Sequence, residues 1–101
     1  MNNCNLIFAT HRKRGIEFLE NLIGEFKYKD ILRFTKSSTD ATVELKDGTI
    51  YKVVSASDNS RGCKCNKAYV ESGTNKQIID CVIRPCIISN LSYEEQIVYF
   101  E

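Results

Sequence analysis

The chain has 101 residues, of which 43% are hydrophobic and 27% are charged, and its formal net charge is +1. A chain of this length forms one domain, residues 1–101, whose core is thin for its surface. The near-zero charge argues against a protein built mainly to neutralise the phosphates of nucleic acid, although a local basic patch could still bind them.

The targeting signals that the sequence lacks bear on its location. No basic start is followed by a long apolar run, and no stretch approaches the ~18 apolar residues of a membrane span. Five cysteines without a secretory signal indicate a reducing compartment, where thiols bind metal or stay free. We therefore predict a cytoplasmic protein with no membrane partner.

Five runs of apolar and β-branched residues predict the strands of a sheet. They cover residues 4–10, 30–36, 42–45, 49–54 and 67–71. The sequence Lys46-Asp47-Gly48 lies between the third and fourth runs, and Asp-Gly in this position is the strongest short hairpin signal.

Two segments show the periodicity of helices. Apolar residues from Ile16 to Phe26 follow the three-and-four spacing of one helix face, which predicts a helix over residues 13–26. Apolar side chains also share one face in residues 75–84, and Pro85 is expected to end that helix. The fold predicted from these segments is a single α/β (α+β) domain with a mixed sheet of about five strands and two helices.

The end of the chain gives conflicting signals. Ile87-Ile88 is typical of a further short strand. Ser92-x-x-Glu95 has the form of a helix capping box, whereas residues 97–100 are rich in strand formers. We favour a short turn that leads into a strand.

Four of the five cysteines form two close pairs, Cys63-x-Cys65 and Cys81-x4-Cys86. Two thiol pairs separated by one supersecondary unit are typical of a closed site for one tetrahedral zinc ion. A five-residue strand rises ~17 Å and a ten-residue helix descends ~15 Å, so the second pair returns to the level of the first. We predict that Cys63, Cys65, Cys81 and Cys86 bind a structural Zn²⁺.

Other ligand sets and thiol states stay open. If the first strand is parallel to residues 67–71, Cys4 opens at the same end and could replace Cys65 or Cys86, whereas His11 lies at the opposite end. Inert buried thiols, which behave as small hydrophobes, are the main alternative to zinc, and a redox switch is a further one. The basic neighbours expected to lower the thiol pKa values are Arg61, Lys64, Lys67 and Arg84.

The densest positive run is His11-Arg12-Lys13-Arg14, where the first helix begins. A helix N-terminus already carries a partial positive charge, so this run is unfavourable unless an anion binds there. These four residues are therefore a candidate partner-binding surface for phosphate or an acidic protein. A solvated basic turn is the simpler alternative.

Three further segments form a series: residues 43–51 with their Asp-Gly turn, the loop Ser60-Arg61-Gly62, and the apolar strand that ends in Glu71. The series resembles the middle of phage large-terminase and related helicase-like ATPase cores. In that family a hairpin leads to an Arg-Gly loop and then to a strand ending in Asp-Glu, which handles magnesium and water. The resemblance covers about residues 5–85 and implies an α/β ancestry and a viral origin.

The sequence departs from that family at the positions that carry catalysis. It has no G-x-x-x-x-G-K-[ST] loop to cradle phosphates, and Ser72 occupies the place of the second carboxylate beside Glu71. In-line phosphoryl transfer therefore lacks most of its electrostatic machinery. We expect a protein that is not an enzyme, and we assign no catalytic residue.

A small chain without a catalytic set is expected to act through its exterior. By analogy with anti-CRISPR proteins, we predict a phage-type, zinc-stabilised inhibitor that binds a host defence complex, such as a CRISPR effector nuclease, in the host cytoplasm. One alternative is a zinc-bearing nucleic-acid-binding or transcription-accessory module that uses residues 11–14. Another is a degenerate DNA-packaging ATPase accessory.

Overall fold

Six strands form one mixed sheet in the computed structural model, which describes residues 4–26, 28–37, 40–60, 62–88 and 96–101. The strands are β1 (Cys4–Ala9), β2 (Ile31–Lys36), β3 (Ala41–Leu45), β4 (Ile50–Ser55), β5 (Lys67–Glu71) and β6 (Ile97–Phe100). Their order across the sheet is β2-β3-β4-β1-β5-β6. The predicted single α+β domain with a mixed sheet is confirmed, with six strands rather than about five.

Two helical segments cover the sheet. Helix α1 spans Arg12–Ile23, and helix α2 passes through three consecutive parts. These parts are Lys76–Ile78, a π-helical turn at Ile79–Ile83, and Arg84–Cys86. Within the described ranges, no helix is both long and apolar enough to cross a membrane.

Pro85 does not end α2, contrary to the prediction. The N–H of Arg84 donates to the carbonyl oxygen of Ile79, five residues earlier, which is the bonding pattern of a π-helix. Pro85 follows this wide turn at the start of the last helical part, where a proline's missing N–H costs little. The backbone leaves the helix at Ile87, so α2 extends two residues beyond its predicted end.

Strand β1 is buried on both faces, which explains its continuous apolar run. On one face, Ile7 and Ala9 pack in a cluster with Ile16 and Leu19 of α1. On the other face, Leu6 and Phe8 belong to a second cluster with residues of α2. The core therefore consists of two layers separated by β1 and its neighbours.

The topology places a switch point at the carboxyl ends of β1 and β5. Strand β1 is parallel to both β4 and β5, and β5 is parallel to β6. From β1 the chain passes through α1 on one face to β2, β3 and β4, which all lie on one side of β1. From β5 it passes α2 on the other face and reaches β6 on the opposite side. In open α/β sheets, ligands bind in the crevice formed at such a point.

The predicted hairpin is confirmed, since β3 and β4 are antiparallel neighbours and Gly48 takes a positive φ of 94° between them. The predicted strand at the chain end is also confirmed as β6. Ser92 and Glu95, the capping box, lie outside the described residues. Ile87 makes only an isolated parallel bridge to Cys65.

The close approach of α1 to the sheet depends on Gly15. A Cβ atom added there would lie 2.8 Å from the Ala9 Cβ and 2.9 Å from the Val53 Cγ1. Although alanine normally stabilises a helix interior relative to glycine, we expect Gly15→Ala to lower the free energy of unfolding by about 1–3 kcal/mol because of this overlap. Urea denaturation measures the change.

The matched control is Gly24→Ala at the end of the same helix. Gly24 has a helical backbone (φ −61°) that alanine adopts without strain, so its effect should be less than about 1 kcal/mol and of either sign. Equal destabilisation by the two variants would contradict close packing at Gly15.

Candidate functional site

Cysteines gather at the amino edge of the parallel strands. Cys4 begins β1, and its N–H donates to the Asn66 Oδ1 at 2.9 Å while the Asn66 N–H donates to the Cys4 carbonyl at 2.7 Å. The N–H of Cys65 donates to the carbonyl oxygen of Cys86 at 2.8 Å. Cys63, in the connection from β4 to β5, packs against the same apolar cluster. The parallel orientation of β1 and β5 confirms that Cys4 opens at the same end as Cys65.

Burial favours the protonated form of these thiols. It raises the pKa of Cys65 to about 12, and the neighbouring thiols of Cys86, Cys4 and Cys63 contribute in the same direction. The pKa values of Cys4 and Cys86 are also raised, in each case mainly by burial. Cys4 is therefore a half-buried thiol, and Cys65 and Cys86 are buried thiols.

The basic neighbour Lys64 lowers the pKa of Cys86, as predicted for that residue. Burial and the nearby Cys63 thiol raise the pKa by more than Lys64 and the backbone N–H groups of Cys63 and Gly62 lower it, so the net shift is upward. Arg61 lies outside the described residues.

The structure does not show the predicted zinc site. Cys65 and Cys86 are each 1% exposed, whereas Cys81 is exposed on α2. Among the residues that the structure describes, no three His, Cys, Asp or Glu side chains are placed to hold a metal ion. Zinc binding by Cys63, Cys65, Cys81 and Cys86 therefore stays a prediction.

The carboxyl edge of the same strands holds a pair between His11 and Glu71. Glu71 ends β5 and is 3% exposed. Its Oε1 accepts a hydrogen bond from the His11 backbone N–H at 3.0 Å, and its Oε2 lies 2.8 Å from the His11 Nδ1. His11 is the N-cap residue of α1, so the carboxylate of Glu71 faces the start of the helix, where negative charge is favourable.

This arrangement sets the ionisation of Glu71. Burial alone would raise its pKa, but hydrogen bonds from the His11 side chain and backbone, together with the charges of His11 and Arg14, lower the pKa below its ordinary value of 4.5. Glu71 is therefore an ionised carboxylate at neutral pH, and it ties β5 to the entrance of α1.

Carboxylates of this chain lie beside the predicted partner-binding run. His11 contacts Glu71, and the Nη1 of Arg12 donates to the Oδ1 of Asp40 at 2.6 Å. Lys13 and Arg14 are exposed in the first turn of α1. The anion expected at the start of this helix is thus supplied in part by the chain itself, and recognition of a partner by residues 11–14 stays a prediction.

The pairing of His11 with Glu71 is not predicted by the sequence analysis, which assigns His11 only to the basic run at residues 11–14. A signal was present, since His11 follows one apolar run closely and Glu71 ends another. The carboxyl ends of neighbouring parallel strands meet at one edge, so the pair required only the assumption that the two strands are adjacent.

Comparisons with known proteins add no relative. No protein family, curated protein or solved structure matches this chain. The resemblance to terminase cores therefore stays a prediction.

Replacing Glu71 tests its structural role. We expect Glu71→Gln to lower the free energy of unfolding at pH 7 by about 1–3 kcal/mol, because a charge-assisted buried hydrogen bond is lost. Since the folded pKa is lowered, this contribution is fully present above pH 4.5 and is lost as the pH falls through the folded pKa. Denaturation curves of both proteins between pH 3 and pH 7 measure it.

The control is Asp40→Asn, which removes the charge from the exposed Arg12–Asp40 pair. Its effect should stay below about 1 kcal/mol, as for other surface pairs. A difference between wild type and Glu71→Gln that does not shrink in acid would contradict the role given to the carboxylate.

The thiols should differ in reactivity. At pH 8 a pKa of about 12 leaves on the order of one Cys65 side chain in 10,000 as thiolate, and burial also blocks access. We expect iodoacetamide to modify exposed Cys81 first and Cys65 and Cys86 only after unfolding in urea. Peptide mass spectrometry gives the order, and native Cys65 reacting as fast as Cys81 would contradict the burial.

Proposed function

We propose that this protein is a non-enzymatic inhibitor that binds a host protein complex, and that the partner attaches to the sheet edge formed by β2. The observation that carries the proposal is the exposure of this strand. Five of its six residues are exposed, including Leu32 at 57% and Phe34 at 42%. Large apolar side chains at a sheet edge are typical of protein interaction sites.

Strand β2 offers both backbone and side-chain contacts. Among the strands that the structure describes, it is the first in the sheet order and pairs with β3 alone, so within that part of the chain its outer backbone N–H and C=O groups are available to an added strand. The pairing with β3 shifts register between Ile31 and Arg33, which is the signature of a β-bulge. The occupant we infer is an extended segment of the partner protein, paired as a seventh strand.

An apolar groove lies beside this edge. It has a volume of about 390 Å³ and is lined by the end of α1 and the first residues of β2. Its lining residues are Ile23, Ile31, Leu32, Arg33 and Phe34. A side chain projecting from an added strand could enter the groove, and this would give the contact side-chain specificity in addition to the backbone hydrogen bonds.

The carboxyl edge supports an inhibitor rather than an ATPase. Only Thr10 and His11 separate the end of β1 from the start of α1, which leaves no loop of the length that cradles phosphates. Glu71, which stands in register with the family's first acid, has both oxygens engaged by His11. In this proposal, the position that would correspond to the magnesium-handling acid of the ATPases that the sequence resembles serves instead to hold the fold.

A protein partner also agrees better with the charges than a nucleic acid does. Binding to DNA or RNA depends on cations that are available to phosphates. Carboxylates contact two members of the basic run at residues 11–14, and the ammonium of Lys36 on β2 is 2.8 Å from the carboxylate of Glu20. By analogy with anti-CRISPR proteins, the partner class is a CRISPR effector nuclease in the host cytoplasm.

Cleavage assays with purified effector nucleases of different types test the proposal. We expect the wild-type protein to block DNA cleavage by one of them, and Leu32→Glu and Phe34→Glu each to weaken the inhibition at least about 30-fold, as at an interface hot spot. The matched control is Tyr99→Glu, because Tyr99 is 55% exposed on the opposite edge strand β6. Thermal unfolding checks that all three variants remain folded.

Three results would count against the proposal in different ways. Failure of the wild-type protein to inhibit any effector nuclease rejects the inhibitor assignment. Full inhibition by the β2 variants rejects β2 as the attachment site. Binding to free DNA that weakens steeply with salt would favour the nucleic-acid alternative.

A further inference from the structure

The structure places a different set of cysteines together from the one that the sequence favours. Cys65 and Cys86 are buried in the cluster below α2, and Cys4 and Cys63 pack against the same cluster. Cys81 belongs to neither core cluster and is exposed. Cys4, rather than Cys81, therefore lies with Cys63, Cys65 and Cys86.

Three of these cysteines lie on neighbouring segments of the chain that backbone hydrogen bonds join, and Cys86 is the last helical residue of α2. Cys4 is held against Asn66, the residue after Cys65, by hydrogen bonds of 2.9 and 2.7 Å. On its other side Cys65 donates to the carbonyl oxygen of Cys86 at 2.8 Å and accepts from the N–H of Ile88 at 2.7 Å. Backbones paired as neighbouring strands lie about 4.8 Å apart, so rotation of the side chains could bring thiols on paired segments to the separation of about 4 Å between sulfur atoms that share one zinc ion.

The fourth cysteine comes from the connection between β4 and β5. Cys63 is two residues before Cys65, and its N–H donates to the carbonyl oxygen of Ser60 at 3.3 Å. The Cys86 Sγ also lies 3.6 Å from that carbonyl oxygen, so Ser60 links Cys63 to the end of α2. Three separate parts of the chain thus bring four thiols to one end of the core.

We propose that Cys4, Cys63, Cys65 and Cys86 form a binding site for one thiophilic divalent cation, of which Zn²⁺ is the natural choice, and that Cys81 is not a ligand. Closed four-thiolate sites of this kind have a structural role. The site is independent of the partner surface on β2, so either proposal can fail without the other.

Binding requires the side chains to rotate. The described thiols are not in ligand geometry, and the Cys86 Sγ instead donates to the carbonyl oxygen of Val82 at 2.9 Å. Coordination would replace that hydrogen bond by a bond from sulfur to the metal, and each thiol proton would pass to the solvent. The positive charge of Lys52 is near Cys4, and that of Lys64 is near Cys86. Both charges would partly offset the negative charge of four thiolates.

Metal titration of the full-length chain tests the ligand set. The probes are Zn²⁺, followed by native mass spectrometry, and Co²⁺, followed by sulfur-to-metal charge-transfer absorption. We expect wild type and Cys81→Ser to bind one ion each with similar affinity. Cys4→Ser should bind at least about 100-fold more weakly, because loss of a ligand costs no less than loss of an outer-shell contact.

Alkylation of the wild-type protein gives a second measurement that does not depend on variants folding. With Zn²⁺ bound, Cys81 alone should react with iodoacetamide, and removal of the metal by a chelator should expose Cys4 and Cys63. Protection of Cys81 together with labelling of Cys4 overturns the ligand set. Absence of stoichiometric Zn²⁺ binding by the wild-type protein overturns the site itself.

Discussion

The burial of β1 on both faces is the constraint on which the rest of this structure depends. Strand β1 pairs in parallel with β4 on one side and with β5 on the other. The amino ends of these three strands therefore lie together, and so do their carboxyl ends. The amino end of β1 places Cys4 beside Asn66, and its carboxyl end delivers His11 to Glu71. A strand of six residues is about 20 Å long, so the two features are separate, and His11 is paired with a carboxylate rather than with the cysteines of the other edge.

The use made of Glu71 shows how a position associated with catalysis can serve stability. A carboxylate at the carboxyl end of a parallel strand lies at the switch point, where α/β proteins commonly bind ligands. In this chain both of its oxygens face His11, and the helix begins at once without a phosphate loop. The electrostatic attraction between a helix N-terminus and an anion is retained, but the anion is a side chain of the same protein.

Much of the fold could be predicted from the sequence because its elements have strong local signals. The apolar run of β1, the Asp-Gly turn after β3 and the apolar face of α1 each indicate their structure without tertiary information. The predicted helix end at Pro85 was wrong, because the chain forms a π-helical turn just before the proline and the helix continues past its missing N–H. Such a turn depends on packing rather than on local preference. The sixth strand was harder to predict, because a four-residue segment next to a capping-box pattern carries two opposed signals.

The candidate sites were less predictable, since both depend on which strands are neighbours. Pair spacing suggested that Cys81 would accompany Cys86, but five positions in a helix with a π-helical turn leave one side chain exposed and the other buried. Cys4 is distant in sequence and reaches the cluster only because β1 and β5 are adjacent. The same adjacency joins His11 to Glu71.

Contacts at the two ends of β1 therefore help a thin core to hold α1 and α2 against opposite faces of the sheet. At the carboxyl end, Glu71 ties β5 to the start of α1 through hydrogen bonds that the structure shows. At the amino end, hydrogen bonds join Cys4 to Asn66, and backbone hydrogen bonds join the neighbouring Cys65 to the end of α2. A metal ion at the thiols would strengthen that second connection, and contributions from sites so far apart should add almost independently. Strand β2 lies three positions from β1 in the sheet order, so it can present Leu32 and Phe34 to a partner without disturbing either connection.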